Sequence, residues 1–242
     1  MAHNILKPLK NLLRRPTSDT DVTPTSRTGT TGLDIRPAAT QEEVQAIRTL
    51  LTEQVPYPNF VPLPEVLPNR HNHLHRELIG AWRDSHLIGA AFIGPAEQEA
   101  HSLVGPTAHH DAEVILHNAA MIHSLAVEPT HRRTGTALAI KHHLNTWARD
   151  HSAHLILAVP MNQASRNLNQ AADYLLLPPD ITLIMQIKAH ASAHGFPAKE
   201  GTTWALRILD QATDPPIRVG VHQPMPHANR GEHHILSVQF LN

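Results

Sequence analysis

Val127-Glu128-Pro129-Thr130-His131-Arg132-Arg133-Thr134-Gly135-Thr136-Ala137 is the stretch on which the reading of this chain turns. An apolar strand pattern enters it from Ala120 and stops at Pro129. A helical pattern leaves it over residues 135–150, with Ala137, Ile140, Leu144, Trp147 and Ala148 on one face. Lys141, His142, Asn145 and Arg149 fall on the opposite face and are expected in solvent. A short turn between strand and helix aims several backbone N–H groups in one direction, and the helix dipole adds partial positive charge there. Gly135 lets main chain approach a ligand closely, and Arg132 and Arg133 add full charges beside the donors. These residues describe a pyrophosphate cradle. They match neither the P-loop nor the Rossmann glycine pattern. A plain strand–helix turn carrying a solvated arginine pair is the alternative that the eleven residues leave open.

Working outward, Leu33-Asp34-Ile35-Arg36-Pro37 reads as a short strand, and Thr40 with Glu43 caps a helix bearing Val44, Ile47, Leu50 and Leu51. Prolines 56, 58, 62, 64 and 68 make the next segment a loop, with Tyr57, Phe60 and Leu63 as candidate pocket residues. Residues 78–82 and 86–93 form a hairpin around the polar turn 83–85. The polar stretch 96–118 is expected to be a loop. A buried strand over 155–159, a helix near 163–172 and an alternating strand over 181–188 follow, with Leu183, Met185 and Ile187 on one side. Beyond Ala189 the pattern suggests a helix over 199–211 and strands over 217–221 and 235–240. This order is a mixed α/β layer.

Composition narrows the classes. The chain has 242 residues, no cysteine and a formal charge of −1. Disulfides, thiolate metal sites and cysteine nucleophiles are excluded, and no global basic field points to nucleic acid. No apolar run is long enough for a membrane span. A cytoplasmic, reducing setting fits. Histidine is abundant: 21 residues, so full protonation would carry the charge from −1 to +20. His71, His73 and His75 alternate as metal ligands can. Without HExxH or a paired carboxylate no metal is expected. Residues 1–32, basic and then threonine-rich, read as a disordered tail, with contact to a membrane surface or partner as its functional alternative.

The 127–137 segment resembles motif A of the GNAT superfamily of N-acetyltransferases, Q/R-x-x-G-x-G/A after a strand ending in Val-x-Pro. Arg132, Gly135 and Ala137 fill that pattern in register, with Val127 and Pro129 upstream. The likeness extends to element order: residues 33–53 resemble the family's first strand and helix, 77–93 its hairpin, and 155–188 its later elements. It implies a GNAT-like α/β fold, a mostly antiparallel sheet flanked by helices, over residues 33–188. Residues 189–242 then form a C-terminal extension of the same domain.

The resemblance also implies acetyl-CoA as co-substrate. Its pyrophosphate would lie on Arg132, Arg133, Thr134, Gly135, Thr136 and Ala137, and its pantetheine arm along Leu125, Ala126 and Val127, whose amides would polarise the thioester carbonyl. Asn162-Gln163-Ala164-Ser165-Arg166-Asn167-Leu168 matches the family's N-x-x-A/S-x-x-L, which gives Asn162 and Ser165 to the pantetheine. The family's tyrosine acid would follow Leu168, but Asn169 stands there. Tyr174, at the end of the family's Gly-Phe pair, reads as packing first and as a replacement acid second. His123, on the strand entering the cradle, is the candidate base, because an ammonium has no lone pair for attack. Met121 occupies a position where many members carry glutamate. The implied activity is acyl transfer to an amine. The rival reading is a catalytically silent CoA-binding module. A homodimer is left open.

Overall fold

The computed structural model describes residues 32–55, 61–70, 72–179, 181–209, 214–222 and 238–241. The tail expected over 1–32 lies, but for Gly32, outside the described residues, as do Tyr57, Phe60, His71 and residues 235–237 of the expected last strand.

Strand β1 (Leu33–Pro37) leads into helix α1 (Gln41–Gln54), whose first turn is capped as its sequence predicts: the Glu43 N–H donates to the Thr40 hydroxyl at 3.3 Å. Arg36 grips the Glu43 carboxylate at 2.6 and 2.8 Å and ties strand to helix. Strands β2 (Glu77–Arg83) and β3 (His86–Pro95) are the expected hairpin. The stretch 96–118 is not a loop. It carries helix α2 (Glu97–His101) and helix α3 (Ala108–Asn118). The reason is that α3 buries Asp111 alongside Ile115, so a polar residue stands where the helical period demands an apolar one.

Strand β4 (Ala119–Val127), a 3-10 turn (Pro129–His131) and helix α4 (Thr136–Asp150) follow, then strand β5 (Leu155–Ala158) and helix α5 (Gln163–Ala171). The remaining strands are β6 (Leu175–Leu176), β7 (Thr182–Ile187), β8 (Ser192–Pro197), β9 (Ala205–Ile208), β10 (Ile217–His222) and β11 (Gln239–Phe240). The helix expected over 199–211 is therefore replaced by β9. Its Ala205 and Leu206 are buried on opposite faces between β5 and β6, a position that converts an ambiguous apolar run into a strand.

Seven strands form the main sheet in the order β1-β2-β3-β4-β5-β9-β6, and four form a second sheet, β11-β10-β7-β8. Among the described ladders only β4–β5 is parallel. The alternating strand β7 opens the second sheet and does not continue the main one. Its Leu183, Met185 and Ile187 are fully buried against the main sheet, in one cluster with Leu155, Leu157 and Leu206.

One face of the main sheet thus carries α1 over β2 and β3 and, beside it, α3 with the second sheet over β5 and β9. The other face carries α4, whose Ile140, Leu144, Trp147 and Ala148 pack on Ile79, Ala91, Ala120 and Ile156. The solvent face expected for α4 needs correction. Lys141 and Asn145 are buried, 2% and 4% exposed, because α5 and Tyr174 cover them.

Candidate active site

Strand β4 determines the site. Its register with β3 slips at Phe92/Ile93: Phe92 faces Ser124, Ile93 faces Ile122, and His123 is the extra residue of a bulge. The slip reverses the side-chain alternation. Met121 packs with the second sheet and Ile122 with the α4 face, whereas Leu125 and Val127 now face α4 and Ala126 faces α1. The β4–β5 ladder covers only Ala119–Ile122 with Leu155–Ala158. From His123 onward β4 pairs with β3 alone, and a wedge opens on its β5 side.

Helices α4 and α5 both begin beyond the carboxyl ends of this parallel pair, where open α/β sheets hold ligands. The two N-termini differ. Helix α5 is closed on itself by a capping box: the Asn162 side chain accepts from the Ser165 N–H at 2.8 Å, and the Ser165 hydroxyl accepts from the Asn162 N–H at 3.1 Å. The Asn162–Ser165 pattern therefore has a local structural purpose, and the Asn162 carbonyl oxygen is already occupied. Helix α4 has no side-chain cap. Its first amides lack intrahelical acceptors, as at any helix start. Gly135 stands at its N-cap with φ +87°, and a Cβ built there meets no atom within 4 Å. Main-chain donors thus face open space through a conformation that glycine adopts without strain.

The loop side chains look inward. The Thr134 hydroxyl bonds to the His131 carbonyl at 2.7 Å and to the Thr136 hydroxyl at 2.9 Å. Arg132 was expected to offer its charge to the ligand. It turns back instead: Nε donates to the Val127 carbonyl at 3.0 Å and Nη2 to Gln54 at 2.8 Å, which ties the loop to the end of α1. Arg133 is exposed, at φ 62°. The cradle is consequently built mainly from main chain, with Ala137 half-buried behind it.

On the α1 and second-sheet side of the wedge lies a cavity of about 630 Å³. Met121, Ile122, Val159, Phe196 and Trp204 give it an apolar body. His123 enters it from the bulge, stacked on Phe92 with ring centroids 4.6 Å apart. Burial pushes the His123 imidazole down to about 4, so the ring is neutral at pH 7, and its Nε2 finds no hydrogen-bond partner among the described residues. Glu99 of α2 lines the same cavity. Sequence reasoning missed it, because nothing in the stretch 96–118 marks one glutamate among its polar neighbours.

Tyr174 does not line the cavity. It is 4% exposed, its hydroxyl donates to Asn145 at 2.6 Å, and burial pushes its ionisation up. Packing accounts for it. Leu63 packs against the α1 cluster rather than in the cavity. The two described members of the alternating histidines do not converge: His73 sits on His117, while His75 meets Glu77 and the Trp147 ring.

A bulged strand splayed from its parallel neighbour, an uncapped helix start at a glycine turn and a cavity on the bulged residue thus lie together at one end of the main sheet. The chain belongs to the Acetyltransferase (GNAT) family, whose model matches residues 44–173. No curated protein matches it in sequence. Solved structures that it resembles include a GNAT superfamily phosphinothricin acetyltransferase from Sinorhizobium meliloti in complex with acetyl-CoA. That likeness is 16% identity over 77% of this chain and 94% of that chain, TM-score 0.49. Another is the ribosomal-protein-S18-alanine N-acetyltransferase from Escherichia coli, at 11% identity over 75% of this chain and 97% of that chain, TM-score 0.46. Among the described residues no helix is long and apolar enough to cross a membrane.

Proposed function

We propose that this protein transfers an acetyl group from acetyl-CoA to an amine by direct attack. The observation that carries the reading is the bulge at His123, which joins the wedge between β4 and β5 to the cavity. The diphosphate of the co-substrate meets the uncapped amides of α4 at Gly135, where it needs no side chain to move. Leu125, Ala126 and Val127 line the wedge for the pantetheine arm, and Asn162 retains its side-chain NH2 as a donor across it. Acetyl-CoA supplies the activated acyl carbon.

The amine must arrive as, or become, a free base. His123, neutral at pH 7 with Nε2 unpartnered, accepts or relays the proton. Residues 33–188 are the transferase body in this reading, and the segment beyond completes it through β9. The reading carries with it a cytoplasmic setting.

One group of observations favours the rival reading, a silent CoA-binding module. Asn169 cannot act as an acid, its side-chain carbonyl accepts from Lys141 at 2.7 Å, and Tyr174 is sealed in the core. Release of CoA thiol across an amine panel, run beside calorimetry with CoA, separates the two. Binding with turnover supports the transferase, and binding without turnover to any amine supports the module.

A further inference from the structure

Two glutamates stand two residues apart on α2 with opposite fates. Glu97 is committed to Arg76 in a two-pronged ion pair, with Arg76 Nε on Oε1 at 2.8 Å. Glu99 is 8% exposed, borders the cavity, and leaves its Oε2 with no hydrogen-bond partner among the described residues. Burial raises its proton affinity, and the charge of Lys199 lowers it only in part. A buried carboxylate oxygen without a donor is costly unless something that enters the site supplies one.

The other groups around the cavity define what that something is. Lys199, whose charge acts on Glu99, and Glu200 also line the wall and His123 is neutral, so the lining carries two carboxylates against one ammonium. The remaining body is apolar: Met121, Ile122, Val159, Phe196 and Trp204, with Met161 at 40% exposure toward solvent. A volume of about 630 Å³ suits a small molecule.

Building on the transferase reading, we infer that the acceptor is a primary monoamine on a compact apolar body, its ammonium received by Glu99 and its alkyl or aryl part lying between Met121, Phe196 and Trp204. The charge balance is simple. R–NH3+ meets the Glu99 carboxylate and gives up one proton to Glu99 or, through His123, to solvent. The nitrogen lone pair then forms the C–N bond at the acyl carbon as the C–S bond breaks; the nitrogen sheds its second proton as it becomes an amide, and the sulfur leaves as thiolate and takes up one proton in return.

The test is a steady-state comparison of 2-phenylethylamine and hexylamine with spermidine and a lysine-bearing peptide, in wild type and in Glu99→Gln, with CoA titrated calorimetrically into both proteins. The inference expects the apolar monoamines to lead in kcat/KM. It expects Glu99→Gln to lose about 30-fold or more on them, chiefly through KM, with CoA affinity unchanged. Glu99→Asp, which keeps the charge, should recover part of the loss. Normal CoA binding with preference for spermidine or peptide, or with a Glu99→Gln variant as active as wild type, overturns the acceptor class and leaves the transferase. Normal CoA binding with no amine acetylated overturns the acceptor class too and favours the silent module. Failure of wild type to bind CoA overturns the transferase reading itself.

Discussion

Two groups of buried ionisable residues lie on opposite sides of the main sheet and differ in their hydrogen bonding. Behind the sheet, Lys141 on α4 donates to Asn169 on α5 at 2.7 Å and lies 3.7 Å over the Tyr174 ring, while the Tyr174 hydroxyl donates to Asn145 at 2.6 Å. In front, Glu99 and His123 line one cavity, and Glu99 Oε2 and His123 Nε2 have no hydrogen-bond partner among the described residues. The first group is joined across two helices and the segment before β6, and within it the Asn145 amide NH2 alone has no hydrogen-bond partner among the described residues. The second is desolvated with little compensation, a cost that a functional site can carry. Partnering, rather than burial, is what differs between these two groups.

The sharpest break of that contrast is at His123. Replacing it with alanine should lower turnover about 100-fold while calorimetric affinity for CoA stays within twofold. Equal turnover would return His123 to packing. The wild-type rate should show no His123 limb near pH 6.5, since the folded imidazole protonates only around 4. For stability the sign is the following. Between about 4 and 6.5 the unfolded chain holds a proton that the folded ring refuses, so this contribution is full above 6.5 and lost as pH falls to about 4. Denaturant titrations of wild type and the variant should therefore converge toward acid pH.

Next in size is Gly135→Ala. Its φ of +87° costs a Cβ about 1–2 kcal/mol, and the new methyl occupies the space assigned to the diphosphate. CoA affinity should fall about tenfold or more, with a modest drop in melting temperature. Unchanged affinity would move the cradle elsewhere.

Lys141→Met probes the partnered face. Burial depresses this lysine to about 7, so between about 7 and 10.5 the unfolded chain binds the extra proton and stability rises with pH. The variant should flatten that rise, with turnover within twofold. A large loss of turnover at unchanged stability would make Lys141 a participant.

The smallest expected effect is a stability gain in Glu99→Gln. Raised proton affinity means that the folded carboxyl loses stability as pH climbs past its ordinary value. The glutamine variant should melt a few degrees higher than wild type at pH 8, when scanned without ligand. A lower melting point would mean that Glu99 has a structural partner.

Much of this was legible from local signals. The Pro129 stop, the glycine at 135 and the 3.6-residue period after it identify the strand, turn and helix, and Thr40 with Glu43 marks α1. What stayed hidden depends on distant residues. Lys141 reads as solvent-facing because Asn169, its partner, is 28 positions away. Helix α3 disappears among histidines because its core-facing Asp111 answers His190 and His194, at 2.6 and 2.8 Å, 79 and 83 positions further along the chain. Strand β9 is recognisable only once β5 and β6 flank it. His123 was legible by its place before the cradle, whereas the bulge that aims it depends on the register with β3.

The central claim is that backbone donors at the start of α4 hold a diphosphate and thereby lay a thioester beside His123. Calorimetry of the unmodified protein with CoA and with pantetheine, which lacks the diphosphate, tests it most directly. The account predicts saturable CoA binding and an affinity for pantetheine about 100-fold weaker or less measurable still. Equal affinity for the two, or no heat with CoA, would contradict it.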